Sequence, residues 1–210
     1  YFFFHAHAVT PDPLWSRGLG DVYKRQTNTH AKELDLGSKM PLVKTKMMDI
    51  SGKSISLSEA KGENGLLVIF SCNTCPWVKR WEDRYVELTK KYKPKGVGVI
   101  AINSNESNFE SSESLDEMRK IAEDKKYNFF YTMDNGSKLA REFGASKTPH
   151  VFLFDKNDQL VYRGAVDDNP KKARKVKKPY VADAIDAMLS GNDIKYASTK
   201  ALGCGIKFKR

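Results

Sequence analysis

The chain has 210 residues and a formal net charge of +10 at pH 7, with 40% hydrophobic and 30% charged residues. That is apolar material for one full core, and no apolar run approaches the roughly 20 residues needed to span a bilayer, which predicts a soluble domain without membrane insertion. The positive excess gathers in Lys171, Lys172, Arg174, Lys175, Lys177 and Lys178 without interleaved aromatics, the pattern of a solvated loop rather than of a nucleic-acid surface.

Residues 1–30 differ from the rest of the chain. They begin Tyr1-Phe2-Phe3-Phe4 with no initiating Met, pass through Pro11, Pro13, Gly18 and Gly20 without periodicity, and contain a string, Gly18 to Gln26, that resembles tails on sequences translated from raw nucleotide reads. A targeting peptide would need a basic start followed by an apolar stretch and a small-residue cleavage site, and that ordered pattern is lacking. Residues 1–30 are read as a non-native or disordered tail. With the true N-terminus missing, cytoplasm and (behind an absent export signal) periplasm are both open.

From Pro41 the pattern becomes regular, and a single domain is expected over 41–207. Val43 to Ile50 alternates as a strand, Ser51-Gly52-Lys53 is a turn, and Ser54 to Leu57 makes a short return strand. Leu66 to Phe70 is the continuous apolar run of a strand buried on both faces. Trp77, Trp81, Tyr85 and Leu88 then fall on one face of a helix that Lys93-Pro94-Lys95-Gly96 ends. Val97 to Ile102 is the next strand, and Asn103 to Ser114 is expected to be an exposed polar loop. Ser114-Leu-Asp-Glu117 opens a helix as a capping box, with Leu115, Met118, Ile121 and Ala122 inward. Phe129 to Thr132 is a strand, Ser137 to Phe143 a short helix stopped by Gly144, and Val151 to Phe154 with Leu160 to Tyr162 a hairpin. A last helix runs from Val181 to Leu189 and ends at Gly191. Alternating βαβ followed by ββα predicts an α/β fold, a central mixed sheet with helices on both faces.

The chemistry concentrates at Phe70-Ser71-Cys72-Asn73-Thr74-Cys75-Pro76-Trp77, where a strand ends and a helix begins inside a Cys-x-x-Cys segment. The first helical turn offers unpaired N–H groups and the positive end of the macrodipole, so a thiolate at Cys72 is favoured and its pKa is expected below that of a free cysteine. The spacing brings Cys75 within bonding reach, so that a mixed disulfide at Cys72 can be resolved by Cys75. Pro76 suits the first turn, where its missing N–H costs nothing.

Thr148-Pro149 stands immediately before the strand Val151 to Phe154. With Cys72-Asn-Thr-Cys75-Pro-Trp, Lys147-Thr-Pro-His150, Tyr162-Arg-Gly-Ala-Val-Asp-Asp168 and Leu202-Gly-Cys-Gly-Ile206, the stretch from about 41 to 207 resembles the thioredoxin superfamily. It is most similar to the redoxin branch, which holds alkyl hydroperoxide reductase, thiol-specific antioxidant proteins and the peroxiredoxin-like proteins with a Cys-x-x-Cys. The resemblance implies a thioredoxin-like fold, Cys72 as attacking thiol, Cys75 as resolving thiol and a cis Pro149, after Thr148, as the clamp on the substrate backbone. Asn73, Thr74 and Trp77 would then line the substrate position. Two departures matter. Peroxiredoxins typically carry a Thr or Ser three residues before the peroxide-attacking cysteine and a Pro four before that, where Ile69 and Gly65 stand here. Thioredoxins usually carry a buried acid six residues before the first cysteine, where Leu66 stands.

Other uses of the same residues are weighed beside these. Cys72 and Cys75 make half of a structural zinc site, but a second cysteine pair is lacking. His150 would join them in a Cu(I) carrier, since thiolates and imidazole suit that ion. Trp77 and Trp81 are expected in the core, Trp77 near the rim of the site. Asp167 and Asp168 are expected on a surface turn, and Arg163 at an exposed strand end. Cys204, between Gly203 and Gly205, is either a relay thiol that reaches the Cys72–Cys75 disulfide or a small buried hydrophobe, the commoner fate of a free cysteine. The residues point to a thiol–disulfide oxidoreductase that needs no cofactor and no metal. It would act on protein or small-molecule disulfides, with an external dithiol to recycle it. A thiol peroxidase acting through Cys72 is the alternative.

Overall fold

In the computed structural model, residue 1 and residues 32–209 are described; the tail expected over 1–30 lies outside them apart from residue 1. The centre is β3 (Gly65–Ser71), whose side chains from Leu66 to Phe70 are all fully buried. Their alternation feeds two cores. Leu66, Val68 and Phe70 face one side, while Leu67 and Ile69 face the other, and each such side chain contributes on the order of 2 kcal/mol of burial. β3 pairs in parallel with β4 (Val97–Asn103) and antiparallel with β7 (His150–Asp155), which makes the sheet mixed. Adding β1 (Met47–Asp49), β2 (Ser54–Ile55), β5 (Phe130–Met133) and β8 (Leu160–Gly164) gives seven strands in the order β2-β1-β5-β4-β3-β7-β8.

Among the described residues, five α-helices cover the sheet. On the side of Leu66, α1 (Leu57–Ala60) and α4 (Lys138–Phe143) supply Leu57, Ala60, Leu139, Ala140 and Phe143. On the opposite side, α2 (Pro76–Tyr92) and α5 (Tyr180–Ser190) supply Val78, Trp81, Tyr85, Val181 and Ile185. There α3 (Leu115–Asp124) adds Met118 against Ala101 and Tyr131. The expected mixed sheet with helices on both faces is what the chain forms.

Three local expectations are corrected. The strand expected over 43–50 is only Met47–Asp49, because residues 41–44 form a turn with Leu42 at φ 51°. The return strand stops at Ile55, since Ser56 and Glu59 make a capping box: the Ser56 N–H donates to the Glu59 carboxylate at 2.8 Å and opens α1. The segment 103–114 is not an exposed loop throughout, because Asn103, Ser104, Asn105 and Glu113 are buried. Two further strands appear where none was expected. β6 (Lys147–Thr148) pairs antiparallel with β9 (Cys204–Gly205), bringing the C-terminal tail back to the centre of the molecule.

Candidate active site

β3 ends at Ser71, opposite Asn103 of β4, and the chain turns through Cys72, Asn73 and Thr74 into α2. Cys75 is the N-cap of that helix and Pro76 its first residue. Both sulfurs are nearly enclosed, each cysteine being 3% exposed. Facing them is the Thr148-Pro149 peptide, which is cis. Thr148 touches both cysteines. Its Oγ1 lies 3.2 Å from Cys72 Sγ, and its carbonyl oxygen accepts from Cys75 Sγ at 3.1 Å.

Held on the same residue, the two sulfurs are close enough for each to shift the other's ionisation. Cys75, with burial behind it, pushes Cys72 well up, and the Glu113 charge adds to the rise. Cys72 in turn draws Cys75 down to about 4 against the opposing effect of burial, helped by the Cys204 thiol and by the backbone N–H groups of Val78 and Cys204. Thr148 acts in the other direction: its carbonyl accepts only from a protonated Cys75, and its hydroxyl is free to donate to an ionised Cys72. In either arrangement the pair titrates as a unit, losing one proton well below the range of a free thiol and holding the second well above it. The lowered pKa expected for Cys72 from the helix N-terminus is thus corrected: its partners and burial raise Cys72, and the lowered thiol is Cys75.

Glu113, which no motif in the sequence announces, holds the turn. Its carboxylate accepts from the Asn73 N–H at 2.7 Å, the Thr74 N–H at 3.2 Å and the Thr74 hydroxyl at 2.7 Å. Asn103 Nδ2 adds a bond at 2.8 Å and Asn105 Nδ2 one at 3.4 Å. Its one signal is position: a polar run follows the carboxyl end of a strand adjacent to the cysteine strand, where open α/β sheets place their sites.

This network changes the role expected of Asn73. Rather than facing a substrate it is 4% exposed, donates to the Ser112 carbonyl at 2.9 Å and accepts from the Tyr131 hydroxyl at 2.9 Å. Thr74 is exposed on the rim. Trp77 is half-buried there, stacked on Trp81 at 6.2 Å with the Arg80 guanidinium 5.0 Å above its ring. Asp167 is not a surface turn residue either. It is buried, accepts from Trp81 Nε1 at 2.9 Å and pairs with Arg84 at 3.1 Å, tying α2 to the segment after β8. Asp168 is exposed as expected, and Arg163 binds the carbonyls of Glu33 and Leu34, away from the cysteines. Cys204 is half-buried, directly across the strand pair from Thr148 and packed against the cluster that includes Cys72 and Cys75.

His150 does not join the cysteines, which removes the geometry of the Cu(I) carrier. Its ring packs on Phe152 at 4.4 Å, within the core on the opposite side of the sheet from Cys72 and Cys75. Among the described residues no group of three His, Cys, Asp or Glu side chains is arranged to hold a metal ion. Both His150 nitrogens are buried without a hydrogen-bond partner, and burial, with the Arg163 and Lys147 charges, lowers its pKa to about 4. Since the folded value lies below the ordinary 6.5, the unfolded chain takes up this proton first. The contribution of His150 to stability is present in full above pH 6.5 and is lost, by about 3 kcal/mol, as the pH drops toward 4. Urea unfolding at pH 7 and pH 4.5 should show this acid limb flattened in His150→Phe; an unchanged limb would assign it to other groups.

The Redoxin family model matches residues 35–180. The thiol-disulfide oxidoreductase ResA of Bacillus thuringiensis subsp. konkukian is 25% identical over 133 residues, which are 63% of this chain and 71% of that protein. Chloroplastic peroxiredoxin Q of Gentiana triflora is 26% identical over 127 residues, 55% of this chain and 54% of its own. The crystal structure of an uncharacterized conserved protein from Geobacillus kaustophilus superposes with a TM-score of 0.78 at 32% identity, covering 85% of this chain and 95% of that one.

Proposed function

The chain belongs to the Redoxin family and is a thioredoxin-like oxidoreductase, and from that premise we propose that Cys72 and Cys75 form its redox pair in thiol–disulfide exchange. Cys72 attacks a substrate disulfide as thiolate, forming a mixed disulfide and releasing one substrate thiol. Cys75 then attacks Cys72 Sγ; the Cys72–Cys75 bond forms and the second substrate thiol leaves. Two electrons have passed to the substrate, and an external dithiol returns them. The substrates would be protein or small-molecule disulfides. The observation that carries this reading is Thr148, whose hydroxyl and carbonyl contact both sulfurs at 3.2 and 3.1 Å and so hold them beside the cis-Pro149 peptide. It is tested by the exchange rate of the reduced protein with a small disulfide, and by loss of that rate in Cys72→Ser.

Peroxide reduction is the second reading, and one contact favours it. Ile69 stands where a peroxidase of this kind would carry its hydroxyl and is fully buried, but Thr148 Oγ1 presents a hydroxyl 3.2 Å from the Cys72 sulfur. Cys72 would attack a peroxide oxygen and become a sulfenic acid, and Cys75 would condense with it, releasing water. We expect hydrogen peroxide to oxidise the reduced protein within about tenfold of an unactivated thiol of the same pKa. A rate orders of magnitude higher, lost in Thr148→Val, would put peroxide reduction first.

A further inference from the structure

Cys204 is the third thiol of the chain, and the fold commits a strand to positioning it. β9 pairs with β6 so that Cys204 faces Thr148 and Gly205 faces Lys147. Gly203 makes the approach possible, since a Cβ there would fall 2.1 Å from the Thr148 carbonyl oxygen. Past the cysteine, Ile206 is buried and its N–H donates to the Ser146 carbonyl at 3.0 Å. The Lys207 N–H donates to Asn105 Oδ1 at 2.9 Å, and its carbonyl accepts from Ser107 at 3.1 Å. The tail is thus fixed beside Cys204, which packs against the cluster that holds Cys72 and Cys75.

Accessibility separates the three sulfurs. Cys72 and Cys75 are each 3% exposed, whereas Cys204 is half-buried. A reductant meeting the oxidised pair directly would have to reach an enclosed disulfide. Cys204 is more exposed and packs against the cluster that holds both cysteines of the pair.

We propose that Cys204 is an exchange thiol through which reducing equivalents enter the Cys72–Cys75 disulfide, an inference that rests on those two cysteines being the redox pair. The Cys204 thiolate attacks Cys75 Sγ; the Cys75–Cys204 bond forms, the Cys72–Cys75 bond breaks, and its electron pair leaves on Cys72. No electrons are gained or lost in this step. An external dithiol then attacks Cys204 Sγ, releasing Cys75 as thiolate, and its second thiol displaces Cys204. The dithiol departs as a disulfide, and all three cysteines are left reduced. Burial and the Cys75 sulfur raise the Cys204 thiol to about 11 in the reduced protein. Once Cys75 is held in a disulfide its negative charge is gone, and that part of the rise goes with it.

The full chain is oxidised with one equivalent of diamide, which takes up the two electrons as a hydrazine, then acid-quenched, alkylated with N-ethylmaleimide in denaturant and mapped by peptide mass spectrometry. The expected result is a mixture, one population labelled on Cys204 and the other on Cys72. Reduction of the oxidised protein by dithiothreitol should slow at least tenfold in Cys204→Ser. Label on Cys204 alone, with no slowing in the variant, overturns the inference and leaves the Cys72–Cys75 pair intact. Label on all three cysteines after oxidation means no disulfide formed, and removes the pair's assigned role together with the inference.

Discussion

Replacing Cys72 by Ser is expected to lower disulfide exchange by several orders of magnitude, because an un-ionised hydroxyl is a far weaker nucleophile than the thiolate it replaces. Cys75→Ser should behave differently. The first attack still occurs, but the mixed disulfide has lost its assigned resolving sulfur and, with Cys204 also replaced by Ser, accumulates as a covalent adduct, visible as an added mass. Release of the chromophoric thiol from an aromatic disulfide measures the first variant, and intact-protein mass spectrometry the second. The effect of each sulfur on the other's ionisation gives the pair of variants a further use. If Cys75→Ser loses the first attack and Cys72→Ser accumulates the adduct, Cys75 is the attacking sulfur and the roles are exchanged. If Cys72→Ser exchanges at the rate of the unaltered chain, the pair is not the working site.

Glu113→Gln is the second large expectation, and its effect falls on stability. The carboxylate takes five donors on two oxygens: Thr74 N, Thr74 Oγ1 and Asn105 Nδ2 on Oε1, and Asn73 N with Asn103 Nδ2 on Oε2. A glutamine keeps one oxygen and turns an NH2 group toward the donors that had faced the other. Whichever way the amide is flipped, buried N–H groups lose their partner and meet another donor, at about 1–3 kcal/mol for each group left unsatisfied. A loss of about 3 kcal/mol is expected, which lowers Tm by about 6–12 °C in a domain of this size. The urea midpoint should fall with an unchanged m-value. The negative charge that helps raise Cys72 would also be gone, so the ultraviolet absorbance of the thiolate should grow in at lower pH than in the unaltered chain. An unchanged urea midpoint would mean that the turn carrying the cysteines does not depend on Glu113.

What is legible in the sequence is what local chemistry decides. The apolar run from Leu66 to Phe70 can only be a strand covered on both faces, and the i, i+4 spacing of Trp77, Trp81 and Tyr85 sets the inward face of α2. Cys72, Cys75 and Thr148-Pro149 are visible as motifs, and the fold does bring them together. Ser56-x-x-Glu59 is equally local, the same capping pattern that marks α3 at Ser114, but the alternation running into Leu57 masks it as the end of a strand. Partners far apart in the chain are not legible. Glu113 lies forty residues from Asn73, and nothing around it says that its carboxylate points inward. Asp167 shows the same difficulty: a polar residue after a strand looks like a surface turn until Trp81 Nε1 and Arg84 arrive from α2. Cys204 could be placed only by the return of the tail across the molecule, which depends on Gly203 clearing the Thr148 carbonyl.

The pairing of β9 with β6 has a consequence for which molecules can be served. The backbone edge beside Pro149, where an extended polypeptide could lie antiparallel, is already taken by the chain's own Cys204 and Gly205. A polypeptide using that edge must wait for the tail to lift, so its apparent affinity is reduced by the fraction of time the edge is vacant. A low-molecular-weight disulfide presents no backbone to be seated and owes nothing to that opening. If Cys72 and Cys75 exchange disulfides as proposed, the tail favours small disulfides over polypeptides at that edge.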